Sequence, residues 1–457
     1  MAYVALFSWP VVCVVLFMLL PLEAAAIWSL LGGYLLLPSG ATYDVALLPP
    51  LDKFTIPALS TILLCWMKGT QAPSPSRTSL IYCLALIFVV SPLFTSIDNS
   101  YELLIVDRSI PGFYPLDGAK MALHNLITLA PFVVGMRFLS SDKSRALLLK
   151  SLLIAALIYS VPMLWEIRFS PQLHRLVYGF TSTSFTQTVR AGGYRPVVFL
   201  FTGLEVALFM AMAFIGALVA VRAKWRAINI PAGAVATFLG VMLILCKTMG
   251  ALVYAAVAAP LVLFTKPRVW VNVTCAILLI VCAYPALRSA DIVPVHRIAE
   301  LANTISPERS SSFLTRVDNE DKLLAKANQK PLGGWGTWGR NRIYDKESGG
   351  DVTITDGAWI ILYSGFGWLG YLSMFGLFAV AVFRARTAVR GPTTRPMIIL
   401  AGLCLLFGMN ILDLVPNANL TPLTFLMAGS IAGGLPARAA RRSTAPSDRQ
   451  PDMVAAA

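Results

Sequence analysis

Apolar runs of about 20 residues recur along almost the whole chain, and this recurrence limits the fold more than any other feature. A helix of about 20 apolar residues crosses the roughly 30 Å hydrocarbon core of a bilayer. The sequence therefore predicts an all-α polytopic membrane protein with about 12 or 13 transmembrane helices. The runs lie at about 3–20, 22–37, 54–67, 80–97, 121–139, 147–165, 196–221, 230–246, 250–264, 269–287, 358–383, 397–415 and 420–435.

The composition excludes the main soluble classes. Apolar residues make up 57% of the 457 residues and charged residues only 13%, whereas an ordinary soluble domain carries roughly 25% charged residues. The net charge of +14 is assigned to loops that face the cytoplasm, and no basic stretch has the pattern of a nucleic-acid-binding segment. The seven cysteines lie in or beside apolar runs, so we expect neither disulfides nor thiol-bound metal.

Basic residues in alternate connections predict the orientation, because cytoplasmic loops of membrane proteins are enriched in Lys and Arg. The segments between these connections then face outward, whereas the side of the N-terminus depends on whether Pro21 separates two spans or breaks one. The basic residues are Lys68, Arg77, Arg137, Lys143, Arg145, Arg222, Lys224, Arg226, Lys266, Arg268, Arg384, Arg386, Arg390, Arg395, Arg438, Arg441, Arg442 and Arg449.

The same pattern divides the chain into four regions. Residues 1–287 form a helical bundle with an outer loop at 166–195, and 288–357 form a large outer loop that is rich in charge. Within that loop, 309–329 has the spacing of an amphipathic helix, with serines near its start and Pro331 after its end. Residues 358–435 return to the membrane, and 436–457 form a disordered basic tail.

Common nucleotide and metal motifs are absent from the sequence. It contains no GxxxxGK[ST], HExxH or CxxC pattern, and its three histidines are far apart. The stretch GGWGTWG at 333–339 is interpreted as a turn that needs glycine torsions rather than as a nucleotide site. We therefore expect no cofactor and no metal.

Basic residues on the outward side are the first candidates for a site, since they run against the usual distribution of charge. Arg190 and Arg195 flank a Gly-Gly pair in VRAGGYRP, where two guanidinium groups can bind one anion. Lys247 lies where two apolar runs meet, and its alternative role is to extend to the membrane interface. Arg316, Arg340 and Arg342 extend the same positive field, and each alone is expected to be a solvated loop charge.

Two acids are the second set of candidates. Asp356 immediately precedes a long apolar run, so it is either an N-cap of that helix or a general base at the membrane surface. Glu205 lies inside the run at 196–221, where an acid is a functional candidate or one half of a buried ion pair.

Three stretches carry a resemblance to a known family. VRAGGYRP (189–196) opens a span, and Lys247-Thr248-Met249-Gly250-Ala251 lies at a helix junction. The third runs from Arg316 through Lys326-Ala327 and PLGGWG (331–336) to Asp356 and GFGWLG (365–370). With these motifs the chain resembles the bacterial O-antigen ligase and O-antigen polymerase superfamily over about 190–370.

The resemblance implies a metal-independent, inverting glycosyltransferase of the bacterial inner membrane, with a large, partly helical periplasmic loop and an active site that faces the periplasm. The donor would be a glycan on undecaprenyl pyrophosphate and the acceptor a glycan or lipid A-core. Other partners would be membrane lipid and further polysaccharide assembly proteins, but no nucleic acid. Asp356 would be catalytic, while Arg190, Arg195, Lys247 and Arg316 would bind pyrophosphate.

The remaining candidates and alternatives stay open at this stage. Arg340, Arg342 and Glu205 are candidates for further substrate contacts. Many ligases have His where this chain has Asp356, and many members have Arg where it has Lys247, so an exopolysaccharide polymerase competes with a lipid A-core ligase. From other classes, the alternatives are a polysaccharide transporter or lipid-glycan flippase, and a membrane scaffold.

Overall fold

The computed structural model describes residues 1–45, 48–69, 78–106, 108–190, 192–226, 229–295 and 307–433. Its helices are α1 (Ala2–Leu19), α2 (Leu22–Leu36), α3 (Thr55–Lys68), α4 (Ser79–Ile97), α5 (Pro115–Thr128), α6 (Ala130–Phe138), α7 (Asp142–Phe169), α8 (Leu173–Tyr178), α9 (Phe185–Thr188), α10 (Gly203–Arg222), α11 (Ala232–Leu245), α12 (Met249–Phe264), α13 (Pro267–Ser289), α14 (Pro307–Ala327), α15 (Ala358–Ala388), α16 (Arg395–Asp413) and α17 (Pro422–Ala432). Two short hairpins pair β1 (Leu103–Ile105) with β2 (Arg108–Ile110) and β3 (Val189–Arg190) with β4 (Gly193–Tyr194).

Every apolar run of the sequence contains a helix, as predicted. Among the described residues, eight helical segments are long and apolar enough to cross a membrane, and five further apolar helices have only 10–17 residues. The chain is therefore a multi-pass α-helical membrane protein, while the count of 12 or 13 spans stays a prediction. Pro21 separates two helices, because α1 and α2 fold back on each other and Trp9 Nε1 donates to the Ser29 carbonyl at 3.1 Å.

Lys68 and Arg145, from two of the basic connections, lie at one end of the bundle, which we call the basic end. Arg145 donates to the carbonyls of Ser430 and Gly433 at 3.1 and 2.6 Å, and this joins the start of α7 to the end of α17. Lys68, the last residue of α3, donates to the Phe17 carbonyl near the end of α1 at 2.7 Å. Cationic side chains thus bind the exposed carbonyls at helix C-termini, where the helix dipole favours positive charge.

The opposite end carries the outer loops of the prediction. We call the described residues 290–295 and 307–357, which connect α13 to α15, the cap. The predicted amphipathic helix is present as α14, and Val317, Leu324 and Ala327 on it are buried. The predicted tail at 436–457 and His296 lie outside the described residues.

Helix α15 is broken at Gly367, whose φ of 59° and ψ of −161° are non-helical. The break leaves backbone groups unpaired within the helix, and the Gly-rich loop at 331–336 bonds to them. Trp335 N and Gly336 N donate to the carbonyls of Ser364 and Gly365, each at 2.9 Å, and Trp368 N donates to the Pro331 carbonyl at 2.7 Å. The two glycine motifs of the third stretch therefore pair backbone to backbone.

The loop that pairs with α15 also has the predicted glycine torsions. Gly334, Gly336 and Gly339 have φ angles of 70°, 86° and 83°, which side-chain-bearing residues rarely adopt. Thr95 Oγ1 at the end of α4 donates to the Gly333 carbonyl at 2.5 Å. The loop thus fixes the cap to the membrane bundle at α4 and α15.

Candidate functional site

The sequence VRAGGYRP forms a tight hairpin that brings its two arginines together. β3 and β4 pair in antiparallel register, with Arg190 opposite Gly193, and Gly192 in the turn has a φ of 69°. Arg195 follows β4 directly, and its N–H donates to the Thr188 carbonyl at 2.7 Å. Burial, and then the charge of Arg190, lower the pKa of Arg195. The two guanidinium groups therefore share one electrostatic environment.

Lys247 joins the two arginines from a different part of the chain. It lies between α11 and α12 with a φ of 52°, a left-handed conformation that redirects the chain at this junction. Its Nζ approaches Gly193 so closely that a Cβ built on Gly193 would lie within 3.0 Å of it. The structure thus brings Arg190, Arg195 and Lys247 into one group, which we call the cationic cluster.

The two arginines of the cationic cluster are short of counter-ions. Within the described ranges, no carboxylate lies within 4.0 Å of Arg190 or Arg195. The buried Nε of Arg195 also has no hydrogen-bond partner among those residues. Guanidinium groups with unused donors match the geometry and charge of carboxylates and phosphates. The cluster is therefore suited to bind an anion.

The segment after Arg195 is held by buried side chains rather than by regular secondary structure. One carboxylate oxygen of Glu166 accepts the N–H groups of Val197 and Val198, both at 2.8 Å, and the other accepts Leu173 N at 3.1 Å. Because Glu166 is buried, these hydrogen bonds form in a low-dielectric surrounding and fix the backbone. They set the position from which Arg195 extends.

Glu205 and Lys53 complete this support. Glu205 lies in the first turn of α10, not deep in the span, and it accepts Phe201 N at 2.9 Å. Lys53 Nζ donates to the Phe199 carbonyl and to Ser39 Oγ, both at 2.9 Å. Burial lowers the pKa of Lys53 to about 8, although Glu205 and Asp52 act in the opposite direction. Glu205 and Lys53 thus both support the backbone that follows Arg195, and among the described residues they form no ion pair within 4.0 Å of each other.

Asp356 and Arg316 form a second group at the same end of the bundle. Arg316 Nε lies 3.1 Å from Asp356 Oδ2, and both side chains remain partly exposed. Gly357 is the N-cap residue of α15, and no side chain caps this helix. The interpretation of Asp356 as an N-cap is therefore wrong, because its carboxylate binds the arginine of α14 instead.

Glu320 lies beside this pair and was not identified from the sequence. It follows Arg316 by one helical turn, and its Oε1 accepts Trp359 Nε1 of α15 at 3.2 Å. Burial raises the pKa of Glu320 to about 7, against the hydrogen bond from Trp359 and the charge of Arg288. A carboxyl group that titrates near neutral pH is suited to proton transfer. Its only sequence signal is the i, i+4 spacing from Arg316.

The end of α16 supports the segment that carries Asp356. The backbone N–H of Ala358 donates to the carbonyls of Leu414 and Asn417, at 3.0 and 3.1 Å, so the end of α16 fixes the start of α15 just after Asp356. Asp413 in turn accepts hydrogen bonds from Asn417 Nδ2 and Asn419 Nδ2, both at 2.8 Å. These bonds hold the chain that follows α16 in place against the start of α15.

Arg340 and Arg342 have other roles in the described structure. Arg340 is fully buried and donates to the carbonyls of Tyr101 and Pro111, at 2.9 and 2.8 Å. The expectation that Arg340 is a solvated loop charge is therefore wrong, because its guanidinium joins the cap to the segment after α4. Arg342 is exposed and pairs with Asp351 at 2.6 Å.

In the part of the chain that the structure describes, no three His, Cys, Asp or Glu side chains are grouped so that they could hold a metal ion.

Comparison with known proteins gave no assignment. No protein-family model matches the sequence, and no curated protein matches it.

Proposed function

We propose that this chain is a glycosyltransferase of the bacterial inner membrane that takes a glycan from undecaprenyl pyrophosphate and transfers it to a sugar acceptor at the periplasmic face. The acceptor is a growing polysaccharide or lipid A-core, which corresponds to a polymerase or a ligase. The observation that carries the proposal is the cationic cluster, whose arginines lack carboxylate partners among the described residues. An acid–arginine pair at the same end of the bundle supports it.

The cationic cluster would act on the leaving group. When the bond between sugar and pyrophosphate breaks, negative charge develops on the diphosphate. Preorganised cations in a water-poor site stabilise such charge without reorganisation at the moment of reaction. Arg190, Arg195 and Lys247 have the charge for this role, and Glu166 holds the backbone beside Arg195 in place.

Asp356 would act on the acceptor. The acceptor hydroxyl attacks the anomeric carbon from the side opposite the diphosphate and loses its proton to a base, so the configuration at that carbon inverts. In the described structure Arg316 binds Asp356. We propose that the donor pyrophosphate competes for Arg316, which releases the carboxylate to accept the proton.

A transporter is the second candidate, and the break in α15 is the observation that favours it. Transporters use interrupted helices whose exposed backbone groups bind substrates and ions. At Gly367, however, the loop at 331–336 already binds the backbone groups of Ser364, Gly365 and Trp368. The break therefore joins two parts of the protein instead of opening a binding site, and we favour the transferase.

The test is transfer by the purified protein in liposomes that contain a lipid-pyrophosphate-linked glycan. We expect longer or newly attached glycan together with released undecaprenyl pyrophosphate, also in the presence of a chelator. Arg195→Ala should lower the rate about 10²–10³-fold, the usual effect of losing one such donor. Arg175→Ala is the matched control, because Arg175 is an exposed cation on α8 of the same outer loop.

Three results would contradict this proposal. Wild-type rates in a folded Arg195→Ala variant would exclude the cationic cluster from catalysis. A strict metal requirement would exclude the metal-independent mechanism. Movement of the lipid-linked glycan across the bilayer without bond cleavage would favour the transporter.

A further inference from the structure

An open concave surface lies between the cap and the first β-hairpin. It has a volume of about 540 Å³ and is bordered by the hairpin, one face of α14 and residues 342–346. Binding sites for small molecules usually enclose roughly 300–1,000 Å³. We call this space the cap cavity.

The cap cavity is strongly cationic. Lys322, Lys326, Arg342 and Lys346 line it, against the carboxylate of Asp345. That carboxylate is already engaged in its own turn, because its Oδ1 accepts the N–H groups of Glu347 and Ser348 as well as Ser348 Oγ. Arg342 is also paired with Asp351 at 2.6 Å, so the three lysines supply the positive charge by which the lining exceeds its acids.

The positive charges surround a concave wall that is partly apolar. Residues 103–106 of the hairpin and Tyr344 contribute to the lining, and Leu104 is 87% exposed. Lys326 donates to the Arg342 carbonyl, so the lysine side chain is held at the wall. A saccharide has apolar C–H faces and polar edges, and it therefore fits a wall of this mixed character when its edges carry negative charge.

The cap cavity is separate from the Arg316–Asp356 pair. Lys322 and Lys326 are one turn apart on one face of α14, and Gln329 follows just after the helix ends. Arg316 and Glu320 lie on a different face, since six residues separate Glu320 from Lys326 and a helix turns about 100° per residue. Ten residues of rise along the axis correspond to about 15 Å between the levels of Arg316 and Lys326.

We propose that the cap cavity binds a carboxylate-bearing segment of the glycan substrate, so that the substrate is an acidic saccharide that contains uronate-type sugars. This inference rests on the proposed function for the identity of the ligand as a glycan. Lys322, Lys326 and Lys346 bind the carboxylates, and the hairpin and Tyr344 contact the sugar rings. A chain of several sugars then extends along α14 between the cavity and the Arg316–Asp356 pair.

The experiment measures binding to the purified full-length protein in detergent, without donor lipid. The probes are a fluorescent oligogalacturonate and a neutral oligogalactose of the same length. We expect the acidic probe to bind at least about tenfold more tightly, with an affinity that falls as salt is added. The double variant Lys322→Gln/Lys346→Gln should lose about tenfold in affinity for the acidic probe, at about threefold for each exposed charge. Arg175→Gln, with an exposed cation that does not line the cavity, should bind like the wild type.

The outcomes separate this inference from its alternatives. Equal binding of both probes, or an unchanged affinity in the double variant with an unchanged melting temperature, would overturn it. If only vesicles of anionic phospholipid bind, and the double variant weakens that binding, the cavity contacts the membrane and the inference is also wrong. Asp356→Asn should bind the acidic probe normally. A wild-type protein that binds the acidic probe but transfers no glycan would reject the proposed function and not the cap cavity.

Discussion

Two carboxyl side chains, those of Asp356 and Glu320, are candidates for the general base. Asp356 lies ahead of α15 and pairs with Arg316, whereas Glu320 lies on α14 and accepts the indole N–H of Trp359. The Asp356 side chain is 35% exposed, whereas Glu320 Oε1 accepts the indole N–H of Trp359 and burial raises the pKa of Glu320. We therefore assign the base to Asp356 and a supporting role beneath it to Glu320.

Substitution of each acid by its amide tests this assignment. Asp356→Asn should lower the single-turnover transfer rate at least about a hundredfold, because a positioned base contributes roughly 10²–10⁴-fold. Donor binding and folding should remain normal. Glu320→Gln should keep the rate within a few-fold of the wild type, and the matched control Asp318→Asn, at an exposed position on the same helix, should have no effect.

The pH dependence of the rate provides a second criterion. A base must be deprotonated to act, and the pKa of Glu320 is raised to about 7 by burial. If Glu320 were the base, the wild-type rate would therefore rise as the pH increases through about 7 and then level off. That rise, together with a hundredfold loss in Glu320→Gln, would move the base from Asp356 to Glu320.

Candidate residues were selected because their charge was predicted to lie on the outward side, against the usual distribution. The selection succeeded where the charge remains accessible. Arg190, Arg195 and Lys247 were singled out in this way, and they do lie together. Arg340 was placed in the same positive field, but it is buried. The burial of Arg340 depends on contacts with Tyr101 and Pro111, which are more than 200 residues away in the chain. The spacing of residues within a short motif contains no information on such contacts.

At the scale of the element, the break in α15 shows how a glycine motif determines an interface. Gly367 adopts a φ/ψ combination that is essentially restricted to glycine. A Cβ at this position would also lie within 3.0 Å of the carbonyl oxygens of Leu332 and Pro331. Both features are required for the loop at 331–336 to pair with the two halves of the helix.

Gly367→Ala should therefore destabilise the protein by about 3 kcal/mol or more, because the strained backbone alone costs roughly 1–3 kcal/mol. The added methyl group would further weaken the hydrogen bond from Trp368 to Pro331. Thermal unfolding in detergent should show a melting temperature several degrees below that of the wild type. The matched control is Gly376→Ala in the same helix, where a Cβ would make only an ordinary contact with Leu84 at 3.7 Å. A normal melting temperature in Gly367→Ala would show that the pairing contributes little to stability.

The sequence predicted both partners of this interface but not their pairing. PLGGWG and GFGWLG were recognised as motifs, and the glycine torsions of the loop were expected. The run at 358–383 was nevertheless treated as one continuous span, because its composition is uniformly apolar across the break. Hydropathy reports how a segment partitions into lipid, whereas the break arises from backbone bonds to a distant loop.

At the scale of the whole molecule, the distribution of charge agrees with the packing of the helices. Four helix ends meet at the basic end, namely the ends of α1, α3 and α17 and the start of α7. There Lys68 and Arg145 donate to backbone carbonyls. The long connections, including the cap and the loop with the cationic cluster, lie at the other end. The positions of the helices and loops along the chain were predictable, because apolar length and loop charge are local properties of the sequence. The contacts between the outer loops were not predictable, since they join segments that are far apart in sequence.

The last prediction concerns which end of the molecule faces the cytoplasm. Lys and Arg in short loops are retained on the cytoplasmic side during insertion, so the basic end should lie inside and the cap outside. Ser348→Cys in the cap and Thr387→Cys near the end of α15 place single thiols at exposed positions at the two ends, after the seven native cysteines have been replaced. In spheroplasts, a membrane-impermeant maleimide should label the thiol at position 348 directly and the thiol at position 387 only after permeabilisation. The reverse pattern would place the cationic cluster in the cytoplasm and would contradict a periplasmic transferase, because both Arg195 and Asp356 lie at the end that carries the cap.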